Sequence, residues 1–271
     1  MTRLQLLVID PQNDFMDIQG AALPVPGASA DMERLAGVLD ALQPRIDEVV
    51  VTLDSHPGVG IERTTFWSTG DGAPVPPFTT ITAAQARAGS YRPRDASRQA
   101  EVQAYLDALE SVSGRTLIVW PVHCVLGTWG HAIQDRLAQS LAQWEFAHCR
   151  NSDKVLKGQN PMTEQYSAFR AEVPRPDDPR TAVNAALLAG LGTGGRTVLV
   201  AGEALSHCVA ASGEDMLAHM DETRLRNTVF LTDCMSPVTG FEEAGRAFLA
   251  RLRQRGVGTM TAAQARAAFA A

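Results

Sequence analysis

Short apolar runs of strand length alternate along the chain with longer stretches whose apolar positions recur at helical spacing. The runs predict strands near residues 4–10, 47–53, 115–119, 144–148, 197–202 and 228–232, with a short last one near 257–260. Helical periodicity predicts helices near 29–43, 96–112, 129–141, 180–191, 207–220 and 241–255. Strands separated by helices build βαβ units, so the expected fold is a three-layer α/β/α arrangement around a mainly parallel sheet of about six strands. Two segments reading TAAQARA, from Thr82 and Thr261, each carry the T-x-x-Q pattern of a capping box, with no fixed repeat period to link them.

The alternation breaks between residues 57 and 95. This excursion is rich in Pro, Gly and Thr, with Phe66, Trp67, Phe78 and Tyr91 scattered through it. It reads as a lid, a binding loop or an assembly arm with no core of its own. A single domain spanning residues 1–271, carrying this insertion, is the organisation expected at this length. GLGTGG at 190–195 matches G-x-G-x-x-G, but it follows a helix and precedes a strand, the reverse of a dinucleotide-binding turn, so that function is set aside.

Charge narrows the partners. A formal net charge of −6 without any basic block argues against nucleic acid and anionic membrane surfaces. No apolar run reaches the roughly 20 residues of a membrane span, and the run inside MTRLQLLVID is too short for a signal peptide. A cytoplasmic protein acting on a small molecule is expected. Cys124, Cys149, Cys208 and Cys234 show no C-x-x-C or metal-finger spacing, which fits a reducing compartment. Among the 24 basic residues, the lysines are Lys154 and Lys157, both inside NSDKVLKG. In so Arg-biased a chain, a retained lysine marks either work that a rigid guanidinium cannot do or a plain surface pair.

An open parallel sheet places ligands beyond the carboxyl ends of its strands, and the predicted ends here carry chemistry. Asp10 lies in VIDPQNDF, Asp54 in VTLDSHP, His123 in WPVHCVLGTWG, and Cys208 in TVLVAGEALSHCV. Cys208 opens a predicted helix, whose N-terminal field favours thiolate, so it is a candidate nucleophile; the alternative is a small buried hydrophobe. Asp54 and His56, two apart on an extended strand end, point the same way, and His123 supplies a third donor. A carboxylate with two imidazoles suits zinc, iron or manganese and leaves positions open for water and substrate.

In order along nearly the whole chain, VIDPQNDF, LDSH, WPVHCVLGTWG, the KG turn at Lys157, YSAF and GEALSHCV resemble the motif blocks of the nicotinamidase branch of the isochorismatase-like cysteine hydrolases. The resemblance implies a catalytic triad of Asp10, Lys157 and Cys208, and one divalent metal, zinc or alternatively iron or manganese, on Asp54, His56 and His123. It also implies an oxyanion hole from the N–H groups of Ala204 and Cys208, Phe15 and Trp120 flanking a planar ring, a cis peptide between Glu203 and Ala204, and a homo-oligomer. The implied reaction releases ammonia from a small amide, nicotinamide first, through a cysteinyl thioester. Two alternatives stand beside it: the same chemistry on another small amide, the excursion reshaping the pocket, or a non-catalytic hydrolase-like scaffold for protein interaction.

The chain departs from the family pattern at several points. The nucleophile loop reads ALSHC where relatives have A-T-D-Y-C; His207 is expected to pack at the helix start or meet solvent, outside the triad. Glu164 and Gln165 replace the acid and serine of D-S-Y-S-A-F, which leaves the packing behind Lys157 open. Glu62 is a candidate extra metal ligand. Asp14 is expected to hold backbone amides near Asp10, not to act as the acid. His131, His148 and His219 are expected to have no partners, and Arg251, Arg253 and Arg255 to be solvated surface.

Overall fold

The computed structural model describes residues 2–270. Its strands are β1 (Leu4–Ile9), β2 (Ile46–Asp54), β3 (Trp67–Thr69), β4 (Thr79–Ile81), β5 (Tyr91–Pro93), β6 (Leu117–Val119), β7 (Asp153–Lys157), β8 (Thr197–Gly202), β9 (Thr228–Leu231) and β10 (Gly258–Met260). The helices are α1 (Ala28–Leu42), α2 (Ala83–Arg87), α3 (Gln99–Ala108), α4 (Asp135–His148), α5 (Ala185–Gly190), α6 (Ala210–His219), α7 (Glu222–Arg226), α8 (Glu242–Gln254) and α9 (Ala262–Phe269).

Six strands form one parallel sheet in the order β10-β9-β8-β1-β2-β7. The chain steps outward from β1 through β2 to β7, then returns to β8 on the other side of β1, so the order reverses between β1 and β8. Open sheets bind ligands beside such a reversal, beyond the carboxyl ends. Period-two alternation makes the sheet apolar on both faces. Leu4, Leu6 and Val8 of β1 join Val51, Leu199 and Leu231 in one core with α1, α4 and α9. Leu7 and Ile9 join Val200 and Phe230 in a second core with α5, α6 and α8. The fold is thus the expected α/β/α sandwich, and both TAAQARA segments start helices with complete capping boxes at Thr82 and Thr261.

Three expectations are corrected. The apolar run 144–148 is the last turn of α4, not a strand: Trp144 is buried while Phe146 is 87% exposed, a helical face pattern. The sixth strand is instead β7, whose charged edge sequence DKVLK hides its extended nature. The strand predicted at 115–119 exists as β6 but pairs antiparallel with β4 outside the central sheet. The excursion does have a core: Ile61, Phe66, Trp67, Val75 and Ile81 pack against Val102 and Tyr105 of the α3 region, Leu117 and Met162. It closes only by borrowing residues far along the chain, and pattern within 57–95 alone therefore could not reveal it. No helix among the described residues is long and apolar enough to cross a membrane.

Candidate active site

The carboxyl ends of four adjacent strands, β8, β1, β2 and β7, deliver Cys208, Asp10, Asp54 and Lys157 to one place. Register aligns them: Ile9 pairs with Gly202, and Asp54 pairs with Lys157. Gly202 allows the close approach of β8 to β1, since a Cβ at its φ of +122° would sit 1.9 Å from the Ile9 carbonyl oxygen. Gly158, at φ +72°, likewise leaves room for the His56 ring, which a Cβ would meet at 2.7 Å. Asp10 itself adopts a left-handed φ of 44°, pinned by its N–H donating to the Thr52 carbonyl at 3.1 Å. Such strain on a non-glycine residue persists only where the surroundings over-determine it.

Lys157 is the hub. Its Nζ lies 2.9 Å from Asp10 Oδ2, 2.8 Å from Asp54 Oδ1, 3.0 Å from the Gln165 carbonyl and 3.6 Å from Cys208 Sγ. The packing behind the lysine is therefore intact despite the Gln165 substitution, whose Oε1 also accepts from the Gly158 N–H at 3.2 Å. Burial works against the ammonium, but Asp10 and Asp54 outweigh it and hold Lys157 protonated well above the usual range. Burial pushes the Asp10 carboxyl up, against the pull of Lys157. Burial also pushes the Cys208 thiol well up; Lys157 opposes this and the Asp10 and Asp54 charges reinforce it. Burial thus favours the thiol form of Cys208, near the Asp10 carboxyl. Cys208 does open a helix as expected: it lies in the helical turn Leu205–Val209, which runs directly into α6.

Asp54, His56 and His123 converge as the sequence suggested, and all are buried. Asp54 Oδ2 lies 2.7 Å from His56 Nε2 and 3.3 Å from His123 Nε2. The opposite ring nitrogens are held from behind, His56 Nδ1 by Glu62 Oε1 at 3.1 Å and His123 Nδ1 by the Pro121 carbonyl at 2.8 Å. Outer-shell support of this kind orients metal-bound imidazoles. Glu62 therefore backs His56 and also pairs with Arg63 at 3.0 Å. Burial opposes charge on His56, yet Asp54 lifts it to about 9, whereas burial and Arg63 push His123 down to about 4. A carboxylate shared between two imidazoles, both nitrogens turned toward it, is a donor set that a divalent cation fits.

Phe15 and Trp120 both line the small pocket over Cys208, with Ala204, Glu164, Tyr166 and His207. His207 packs as expected but inside this wall: its ring lies 5.0 Å from Trp120, 5.4 Å from Tyr166 and 4.7 Å from Phe241. Asp14 plays the anchoring part, accepting from the Cys124 N–H at 2.6 Å and the Ala22 N–H at 3.0 Å. The peptide between Glu203 and Ala204 is cis. Two histidines expected to be unpartnered have partners: His131 Nε2 is 2.9 Å from Ser55 Oγ, and His148 stacks on Trp144 at 4.9 Å. Arg251, Arg253 and Arg255 are exposed as expected, and Arg251 makes a surface pair with Glu214.

Sequence reasoning missed several supports. Thr52 donates to Asp10 Oδ1 at 2.6 Å, and Gln12 bridges β1 to β2 by accepting from the Asp54 N–H at 2.7 Å and donating to its carbonyl at 2.8 Å. Thr52 stands two residues before Asp54, on the same face of β2, a spacing that could have flagged it. Arg63, fully buried beside His123 at 2.7 Å, had no local signal; Glu164, noted in the sequence only as a departure from the family pattern, is pushed up to about 7 mainly by burial and then by Glu62.

Comparison with solved structures places this fold. The yeast nicotinamidase bound to the inhibitor nicotinaldehyde matches with TM-score 0.66 and 22% identity over 95% of this chain and 99% of that one. The fold is that of the nicotinamidases. A nicotinamidase/pyrazinamidase of Acinetobacter baumanii matches at TM-score 0.64 and 20% identity, over 97% of this chain and 98% of that one. A Pyrococcus horikoshii pyrazinamidase in complex with zinc matches at 0.56 and 20%, over 96% and 99%. In sequence, a nicotinamidase of Saccharomyces cerevisiae is 29% identical over 164 residues, and this match spans 60% of the chain and 61% of the relative's length. No protein-family profile matches the chain.

Proposed function

We propose that this protein is a cytoplasmic, homo-oligomeric cysteine amidohydrolase of one domain, releasing ammonia from a small aromatic amide, with nicotinamide as the first substrate. The observation that carries the reading is the Lys157 hub, which binds Asp10 and approaches Cys208 in a buried pocket walled by Phe15 and Trp120. A scaffold for protein interaction has no need of a buried ammonium between an acid and a thiol. Likeness to nicotinamidases in fold and sequence supports the same reading.

In this mechanism Asp10 takes the Cys208 proton as Sγ attacks the amide carbon, and the carbonyl electrons move onto oxygen. The N–H groups of Ala204 and Cys208 hold that oxyanion, each donor contributing about 3 kcal/mol in a water-excluded site. Asp10 then gives the proton to the departing nitrogen, ammonia leaves, and a thioester remains. Asp10 next takes a proton from water as its oxygen attacks the thioester; the acid is released and the thiol regains its proton. Lys157 keeps Asp10 ionised between these transfers and balances the charge of the forming sulfur anion. Phe15 and Trp120 orient the ring. Asp54, His56 and His123 would hold one divalent metal, zinc first, which when bound supplies Lewis acidity and an anchor for a ring nitrogen.

Ammonia release from nicotinamide and other primary amides, with metal content assayed in wild type and Cys208→Ala, tests this. Turnover lost in Cys208→Ala is the expected result. A metal-loaded wild type inert on every amide would overturn it in favour of the scaffold.

A further inference from the structure

Beside the reacting pocket lies a second, larger cavity of about 450 Å³. The two adjoin across a shared wall, lined on both sides by Glu164, Tyr166 and His207. The turn that carries the nucleophile divides between them, Ser206 facing the large cavity and Cys208 the small one. One wall is a product of the excursion, through Thr80 of β4 and Leu117 and Ile118 of β6; the opposite wall belongs to the main sandwich, through Ala210 of α6 and Ala244 and Ala247 of α8.

The lining chemistry defines the occupant. The cavity's arginines are already paired, Arg115 with Glu172 at 3.3 Å and Arg251 with Glu214 at 2.6 Å, so an anionic ligand would have to break a pair. Leu109, Leu117 and Ile118 offer apolar surface. Arg115 lies 5.7 Å from the centre of the Tyr166 ring, making a flat cation–aromatic face at the junction. In the proposed reaction the carboxamide and its first ring lie in the small pocket, between Phe15 and Trp120. We infer that the large cavity is a subsite for an uncharged aromatic substituent on the acyl side of the amide, so that the protein accepts extended aryl carboxamides as well as single-ring ones. This rests on the amidohydrolase reading of the Cys208 pocket.

The test pairs benzamide with biphenyl-3-carboxamide, each against wild type, Ala247→Trp, and the milder Ala247→Leu, with thermal unfolding confirming that the variants fold. Filling the cavity is expected to lower kcat/KM for biphenyl-3-carboxamide by about 10-fold or more and to change benzamide by less than about 2-fold. Calorimetric binding of biphenyl-3-carboxamide to Cys208→Ala, with and without Ala247→Trp, reads the subsite without turnover. Hydrolysis of benzamide with no hydrolysis or binding of the biphenyl amide, or equal effects of Ala247→Trp on both, would overturn the subsite and leave the amidase. Binding of the biphenyl amide that Ala247→Trp weakens, in a protein that hydrolyses no amide, would uphold the subsite and overturn the amidase.

Discussion

The sheet edge and the excursion solve the same problem, building a wall around a thiol, in opposite ways. At the sheet edge, four strands in fixed register bring Asp10, Asp54, Lys157 and Cys208 together, with Asp10 held by the Thr52 hydroxyl and by Lys157, and Asp54 by Lys157. The excursion has only strands of three residues and completes its core with α3, β6 and Met162. Its contribution to the site is correspondingly indirect: Glu62 and Arg63 behind the histidines, Thr80 on the outer cavity. Positions set by strand register tolerate little change; positions set by a small borrowed core shift with its packing. Catalysis is expected to depend on the first region and substrate range on the second.

The sharpest break of that contrast is Cys208→Ala. It is expected to reduce amide hydrolysis by about 10³-fold or more while changing unfolding free energy by less than about 2 kcal/mol, read by ammonia release and urea titration. An equal loss of stability would mean that the edge is held by its nucleophile and not by the sheet. Next, Trp67→Ala in the excursion core is expected to destabilise that unit by about 3–5 kcal/mol, making residues 57–95 sensitive to limited proteolysis while far-ultraviolet dichroism of the sheet persists. Cooperative loss of both would erase the distinction between the regions.

Chelation sharpens it from the other side. With metal at about 100-fold over its dissociation constant, removal is expected to lower stability by about 3 kcal/mol, and Asp54→Asn is expected to abolish stoichiometric metal by elemental analysis. The smallest effect belongs to His207, on the wall between the two cavities. Burial and Arg115 push its ring down to about 4. The folded ring stays neutral while the unfolded one binds a proton below about 6.5, so stability falls as pH drops from about 6.5 toward 4. Because the ring is partly exposed, the loss should be about 1–2 kcal/mol, and it should vanish from the pH profile of His207→Phe.

The sequence by itself determined the layered sandwich, because period-two and period-3.6 apolar patterns report which faces are buried whatever lies far away. It also determined part of the chemistry at strand ends: Asp10, Asp54, His56 and Cys208 were legible there because a parallel sheet sends its carboxyl ends to one edge, whereas Lys157 entered through the family resemblance and His123 follows β6, outside that sheet. Asp14 was legible as an anchor for the same local reason. Tertiary structure alone decided the rest. The strand at 153–157 carries charges and needed its partner β2 to become extended, while WEFAH needed the sheet below α4 to show which side is buried. The placing of Glu62 behind His56, the core of the excursion and the cavity beside the nucleophile all depend on groups distant along the chain. Desolvation, ion pairing and packing are sums over neighbours in space, and local sequence records only neighbours along the chain.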